Sequence, residues 1–181
     1  MHQKHAHTPS HFFADNTPYF ITGAIYRKRK LLASSEIKER LLELIREQFE
    51  NYDWRLQHWV ILDNHYHLMG VSEKGCDLSA IFRKIHSLSG IEIRGATGCE
   101  TPVWWNYWDY CPRNETDYRT RLNYLFYNPI KHGYVADLKD YPFSSFHETL
   151  TEIGRADMER QFRKYAGYRS LVLNEAKDDD F

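Results

Sequence analysis

The chain has 181 residues, of which 42% are hydrophobic and 15% aromatic, and a formal net charge of −1. This length and apolar content predict one folded domain with its own core, and they exclude a largely disordered chain. The near-neutral charge gives no support to nucleic-acid binding, which a basic excess would indicate.

Residues 1–16 are polar and rich in histidine, which predicts a mobile N-terminal arm. This stretch lacks the apolar centre of a signal peptide, and no apolar run is long enough to span a membrane. Cys76, Cys99 and Cys111 are scattered and form no CxxC pair. That usage is typical of a reducing compartment and argues against a disulfide framework or zinc knuckle, so we expect a cytoplasmic protein.

The first predicted elements are a strand, a helix and a hairpin. Residues 19–26 are enriched in β-branched and aromatic side chains, which indicates a strand. Ser34 or Ser35 can cap a helix that ends near residue 51. The strand-like runs WRLQHWVIL and HYHLMGV then flank Asp63-Asn64, which predicts a β-hairpin.

The second half continues with two helices and an aromatic strand. A helix from residue 77 to about residue 94 is predicted to bury one apolar face, made of Leu78, Ile81, Ile85, Leu88 and Ile91. GATGCETP indicates a loop and VWWNYWDYC a fourth strand. Asn114 can cap a third helix from Glu115 to about Asn128, where Pro129 is expected to stop it.

The order β-α-β-β-α-β-α predicts an α+β fold, a ferredoxin-like βαββαβ sheet with helices packed on it. We expect the strand bearing His65 to be central and the first two helices to share one face. The third helix should approach the histidine side. We assign residues 17–150 to the main domain and residues 151–181 to an irregular or short helical appendage that ends in an acidic tail, NEAKDDDF.

Two histidines alternate with apolar residues in HYHLMG. Side chains two apart in a strand share a face, so His65 and His67 should project together while Tyr66 and Leu68 enter the core. Two imidazoles on one face can bind a divalent cation. The alternative is a pair of ordinary half-buried polar residues.

The third helix carries a tyrosine and an amide on one flank. A helical wheel places the apolar stripe at Tyr118, Leu122, Leu125 and Phe126. Tyr124 lies off that stripe, with Asn128 one turn away on the same flank and Arg121 beside them. Tyr127 points away from the core, towards solvent or the appendage. The alternative for Tyr124 is simple packing at a helix edge.

These residues suit phosphoryl transfer. A phenol is a weak nucleophile at neutral pH because its pKa is about 10. A divalent cation held by two histidines and an amide oxygen would polarise the phosphate and offset developing charge.

Several segments resemble one protein family. HYHLMG resembles the HUH motif (His, bulky hydrophobic, His), and YLFYNPIKHGYV resembles the YxxxNPxKxG signature of REP-associated tyrosine transposases. These are a branch of the single-tyrosine HUH transposases, the IS200-like family. YPFSSFHE is similar to a further segment of the family, so the resemblance extends from Tyr19 to His147. Where Asn128 stands, the wider family has glutamine.

The resemblance implies cleavage of single-stranded or hairpin DNA through a covalent 5′-phosphotyrosine. Tyr124 would be the nucleophile. The metal ligands would be His65, His67 and Asn128, and the cofactor Mg²⁺ or Mn²⁺. The rival hypotheses are a non-catalytic hairpin-binding protein of the same fold and a metal-dependent hydrolase that uses activated water. A monomer and a homodimer both remain open.

Candidate DNA contacts are the basic residues Arg27, Lys28, Arg29, Lys30, Arg121 and Lys131. Lys131 and His132 follow the third helix closely, so we expect both to meet a phosphate near the site. Cations at these positions could hold backbone phosphates, although a charge run is as often simply solvated. Trp104, Trp105 and Trp108 are candidates for base stacking. In a regular strand, however, Trp104 and Trp108 would share a face and both lie in the core.

Overall fold

The computed structural model describes residues 13–173, which contain four strands and five α-helices. Most of the predicted N-terminal arm and the whole acidic tail lie outside these residues. The strands are β1 (Pro18–Ile25), β2 (Arg55–Ile61), β3 (His65–Val71) and β4 (Trp104–Tyr110). The helices are α1 (Ser35–Asn51), α2 (Leu78–Thr97), α3 (Glu115–Lys131), α4 (Phe146–Ile153) and α5 (Arg155–Lys164).

The four strands form one antiparallel sheet in the order β2-β3-β1-β4. The predicted α+β fold and the central position of the histidine strand are therefore confirmed. In this order the parallel pair β1 and β2 is split by β3, as in a ferredoxin-like βαββαβ unit. None of the described helices is long and apolar enough to cross a membrane.

The two faces of the sheet bury two separate cores. Ile21, Tyr66 and Leu68 pack on one face with α1 and α2. Phe20 and Met69 face the other way and pack with α3, α4 and the C-terminal segment. Alternation along the strands thus sorts neighbouring residues into different cores, and it places α3 on the histidine face as predicted.

The predicted buried face of α2 is wrong at two positions. Leu88 and Ile91 are exposed, at 38% and 58% of their surface. The residues that continue the stripe from Ile85 are instead Ser89 and Ile93, because a straight helix repeats every 3.6 residues and strict three-residue steps drift off the face. The helix also ends at Thr97, so the start of the predicted loop is helical.

Pro129 does not stop α3, which continues to Lys131. Proline lacks the N–H that would bond one turn back, but this loss falls in the last turn only. The carbonyls of Asn128 and Pro129 accept hydrogen bonds from the N–H groups of His132 and Tyr134, both at 2.9 Å. The last carbonyls of α3 therefore have hydrogen-bond partners, although Pro129 supplies no N–H group.

A register shift in β4 separates two tryptophans that were predicted to share a face. Ile25 pairs with Trp104 and Ala24 with Asn106, so Trp105 is an extra residue between them. Trp104 consequently lies in the α2 core, where its ring stacks on His86 at 4.3 Å. Trp108 pairs with Thr22 and is half-buried on the histidine face.

Candidate active site

His65 and His67 project from the same face of β3, and their ring centroids lie 5.0 Å apart. Both are buried, with 6% and 2% of their surface exposed. The ring of Phe20 on β1 stacks against His67 at 5.3 Å. The two-residue period of the strand thus brings the two imidazoles together as predicted. Side chains of neighbouring elements bury them.

Each imidazole uses its Nδ1 atom for a hydrogen bond to a neighbouring side chain. The Thr22 hydroxyl lies 2.8 Å from Nδ1 of His67, and the Asn64 amide oxygen lies 2.7 Å from Nδ1 of His65. Nε2 of His67 is buried without a hydrogen-bond partner. These two hydrogen bonds orient the imidazole rings.

Both histidines are held in the neutral form. Burial lowers the pKa of His65 to about 3 and that of His67 well below its ordinary value of 6.5. The Lys131 ammonium, and His132 when it is protonated, act in the same direction on both pKa values. Neutral imidazole is the form that could bind a metal ion.

Asn128 brings an amide oxygen to the same place. Its Nδ2 donates to the backbone carbonyl of Tyr124 at 2.8 Å, and its buried Oδ1 has no partner within hydrogen-bond geometry. The Asn128 side chain also acts on both histidines and raises their pKa, against the larger effect of burial. Within residues 13–173, no group of three or more His, Cys, Asp or Glu residues forms a metal site. Two imidazoles and one amide oxygen nevertheless fit a divalent cation, since orphaned buried acceptors require a partner.

Tyr124 lies directly beside this group, with its ring centroid 5.5 Å from that of His67. Its hydroxyl accepts a hydrogen bond from Nζ of Lys131 at 2.8 Å, and that ammonium also sits 4.6 Å from the ring centroid. Between β3 and α3, Tyr124 therefore contacts both the Lys131 ammonium and His67, and His67 lies next to His65.

Tyr124 is only 5% exposed, although it lies off the predicted apolar stripe of the helix. The cause is that α3 is covered on two sides. One flank faces the sheet, and on the other Asn123 donates to the carbonyls of Gln161 and Tyr165, each at 3.2 Å. Tyr127 meets the ring of Tyr168 at 5.1 Å, which confirms that it faces the appendage.

Four neighbours of the site were missed or given another role from the sequence. Lys131 was assigned to DNA, yet its seven-residue spacing from Tyr124, two helical turns, could have indicated the contact. His132 was expected with Lys131 at a DNA phosphate, and its ring lies 5.1 Å from that of His65. Thr22 and Asn64 carry no sequence signal, because only strand pairing brings them to the histidines.

Two of the other predicted DNA contacts are occupied within the chain. Arg29 donates to the carbonyls of Glu100 and Pro102. Arg121 pairs with Asp117 at 3.1 Å and lies 3.5 Å from the centroid of the Tyr110 ring. Of the predicted DNA contacts, Arg27, Lys28, Lys30 and Lys131 are exposed.

Comparison with known proteins gives one consistent result. A family model described as "Transposase IS200 like" matches residues 16–109, just over half of the chain. A REP-associated tyrosine transposase of Escherichia coli strain K12 is 27% identical over 144 residues, which are 77% of this chain and 82% of that protein. A solved REP-associated tyrosine transposase bound to a REP hairpin is 26% identical, with a TM-score of 0.67 over 80% of this chain and 85% of that one. These matches confirm the resemblance predicted from HYHLMG and YLFYNPIKHGYV.

Proposed function

Because the chain belongs to the IS200-like transposase family, we propose that it cleaves single-stranded DNA next to hairpin-forming repeats and rejoins the cut strand. One observation carries this proposal. The Tyr124 phenol stands beside two buried polar atoms without a hydrogen-bond partner, His67 Nε2 and Asn128 Oδ1. Burying polar atoms without hydrogen-bond partners costs free energy in the folded protein. Binding of a charged ligand at these atoms best explains why the fold retains them.

Tyr124 is the nucleophile in this proposal. Its oxygen attacks the phosphorus of a DNA phosphodiester, and the bond to the 3′ oxygen breaks. The phenol gives up its proton and the departing 3′ oxygen gains one, which leaves a 5′-phosphotyrosine and a free 3′-hydroxyl. The phosphodiester energy is retained in the new bond, so attack by a 3′-hydroxyl can reverse the step without a nucleotide cofactor.

The other residues bind and orient. His65, His67 and Asn128 would hold Mg²⁺ or Mn²⁺, which when bound polarises a phosphate oxygen and offsets charge in the transition state. The Lys131 ammonium holds the phenol oxygen in place and is positioned to counter its charge as the proton leaves. Burial of the two histidines excludes water from their side of the reacting phosphate.

The substrate class follows from a relative and from the charge distribution. The similar solved protein is bound to a REP hairpin. In this chain Arg27, Lys28 and Lys30 form an exposed basic turn directly after β1. Besides burial, the charge of Lys28 lowers the pKa of His65, so the turn lies near the site. A DNA strand whose phosphates bind this turn would therefore pass close to His65.

Denaturing gel electrophoresis tests the proposal. The protein is incubated with Mn²⁺ and an end-labelled DNA hairpin that carries single-stranded flanks. A band of protein covalently joined to DNA supports tyrosine chemistry. Clean cutting without an adduct would favour water as the nucleophile. Hairpin binding with no cut would favour a non-catalytic binding protein.

A further inference from the structure

We infer that Asn64 is a positioning residue that fixes the proton on His65 and ties that ring to the basic turn at residues 26–30. The inference rests on the proposed function for the role of His65. It depends on a short chain of hydrogen bonds from the Lys28 carbonyl through the Asn64 amide to the His65 ring.

The direction of this chain is set by one backbone group. A carbonyl oxygen can only accept, so the Asn64 group 3.3 Å from the Lys28 carbonyl must be Nδ2. The opposite end of the same amide, Oδ1, then faces Nδ1 of His65 at 2.7 Å. Because Oδ1 can only accept, Nδ1 must carry the proton, and the unprotonated nitrogen is Nε2.

His67 has no comparable constraint. Its Nδ1 meets the hydroxyl of Thr22, and a hydroxyl can either donate or accept. The two histidines therefore differ: the tautomer of His65 is dictated by a backbone carbonyl, whereas that of His67 is adjustable. A metal at this site would find the His65 ring already in the form that binds through Nε2.

The Lys28 carbonyl is itself held in an unusual backbone conformation. Arg27 and Lys28 have φ values of 57° and 52°, in the left-handed region that non-glycine residues rarely adopt. Two backbone hydrogen bonds join the segment around this turn to the turn before His65. The N–H of Ile25 donates to the carbonyl of Asn64 at 2.9 Å, and that of Leu32 to the carbonyl of Asp63 at 2.8 Å. The turn after β1 and the turn before His65 thus form one clamped unit.

A consequence is coupling between the two ends of the unit. Movement of the basic turn changes where the Lys28 carbonyl lies, and the Asn64 amide transmits that change to His65. Linkage requires the converse, so occupation of the histidine site should steady the basic turn.

Two substitutions distinguish the role of the Asn64 amide oxygen from that of its nitrogen. Asn64→Asp retains an acceptor for His65 and loses the donor to Lys28, while Asn64→Ala loses both. Nitrogen NMR of ¹⁵N-histidine-labelled, metal-free protein, assigned with His65→Gln, should show the proton on Nδ1 of His65 in the wild type and in Asn64→Asp. Asn64→Ala should show a mixture of tautomers.

Calorimetric titration with Mn²⁺ and limited trypsin digestion complete the test. Asn64→Ala should bind Mn²⁺ about 10- to 100-fold more weakly, with Asn64→Asp close to wild type. Mn²⁺ should slow trypsin cleavage at residues 27–30 in the wild type but not in Asn64→Asp.

An unchanged tautomer and unchanged Mn²⁺ affinity in Asn64→Ala would overturn the inference. Retained Mn²⁺ protection of the turn in Asn64→Asp would overturn the coupling. A wild type with the Nδ1 proton but no affinity for Mn²⁺ would instead count against the proposed function, since the tautomer is measured without metal.

Discussion

The ammonium of Lys131 lies 2.8 Å from the hydroxyl of Tyr124, two helical turns earlier on α3. Seven residues separate them, so both project from the same side of the helix. The lysine was expected from the sequence to hold a DNA phosphate. Its place on the phenol gives it a second role, next to the atom that would change charge during the reaction.

Replacement of Lys131 by methionine, which is similar in length but uncharged, should slow adduct formation about 100-fold at saturating hairpin DNA, the size typical of one lost charge-stabilising donor. Lys131→Arg should recover part of the rate. Single-turnover gels measure it, and exposed Lys139→Met serves as the control. If saturating DNA restored the wild-type rate in Lys131→Met, the lysine would act only in binding.

Tyr124→Phe removes one hydroxyl with little change in volume. We expect covalent cleavage to be abolished, while hairpin binding, measured by fluorescence anisotropy, and thermal stability stay near wild type. Tyr127→Phe is the matched control on the same helix, since its ring packs on Tyr168 away from the site. An adduct at near wild-type yield from Tyr124→Phe would show that another group attacks the phosphorus.

The sequence predicted the sheet, its helices and the pairing of His65 with His67 because these depend on period alone. Strand alternation decides which core each residue enters, and one-turn spacing brings Asn128 to Tyr124. What it failed to predict depends on long-range geometry. The register shift at Trp105 and the second cover over α3 arise from contacts between distant segments, which no local pattern encodes.

The register shift has a testable outcome at two tryptophans. Trp108 lies on the histidine face, so Trp108→Ala should weaken binding of single-stranded DNA by about 1–3 kcal/mol if it stacks on a base, with little loss of stability. Trp104 is buried against His86 and donates to Ser89 at 3.0 Å, so Trp104→Ala should cost about 3–5 kcal/mol of unfolding free energy. Anisotropy and urea denaturation measure the two effects. Equal losses of stability in both variants would contradict the assigned faces.

Two buried and two half-buried histidines predict a stability that falls in mild acid. Burial lowers the pKa of His58 to about 4 and that of His86 to about 3, and it acts in the same way on His65 and His67. The unfolded chain, with histidine pKa values near 6.5, therefore binds protons more readily than the folded one. The stability is fully present above about pH 6.5 and is lost as pH falls towards these folded values.

His58→Gln should reduce this pH dependence, because one proton fewer is taken up on unfolding. Between pH 6 and pH 4.5 the slope of unfolding free energy against pH should fall by up to about 1.4 kcal/mol per pH unit. Urea denaturation at a series of pH values measures the slope, and Gln57→Ala on the same strand is a control that removes no titrating group. Mn²⁺ should also protect the wild type in acid, since it binds only neutral His65 and His67. A slope that is unchanged in His58→Gln would mean that this imidazole is protonated in the folded protein, against the effect of its burial beside Phe126.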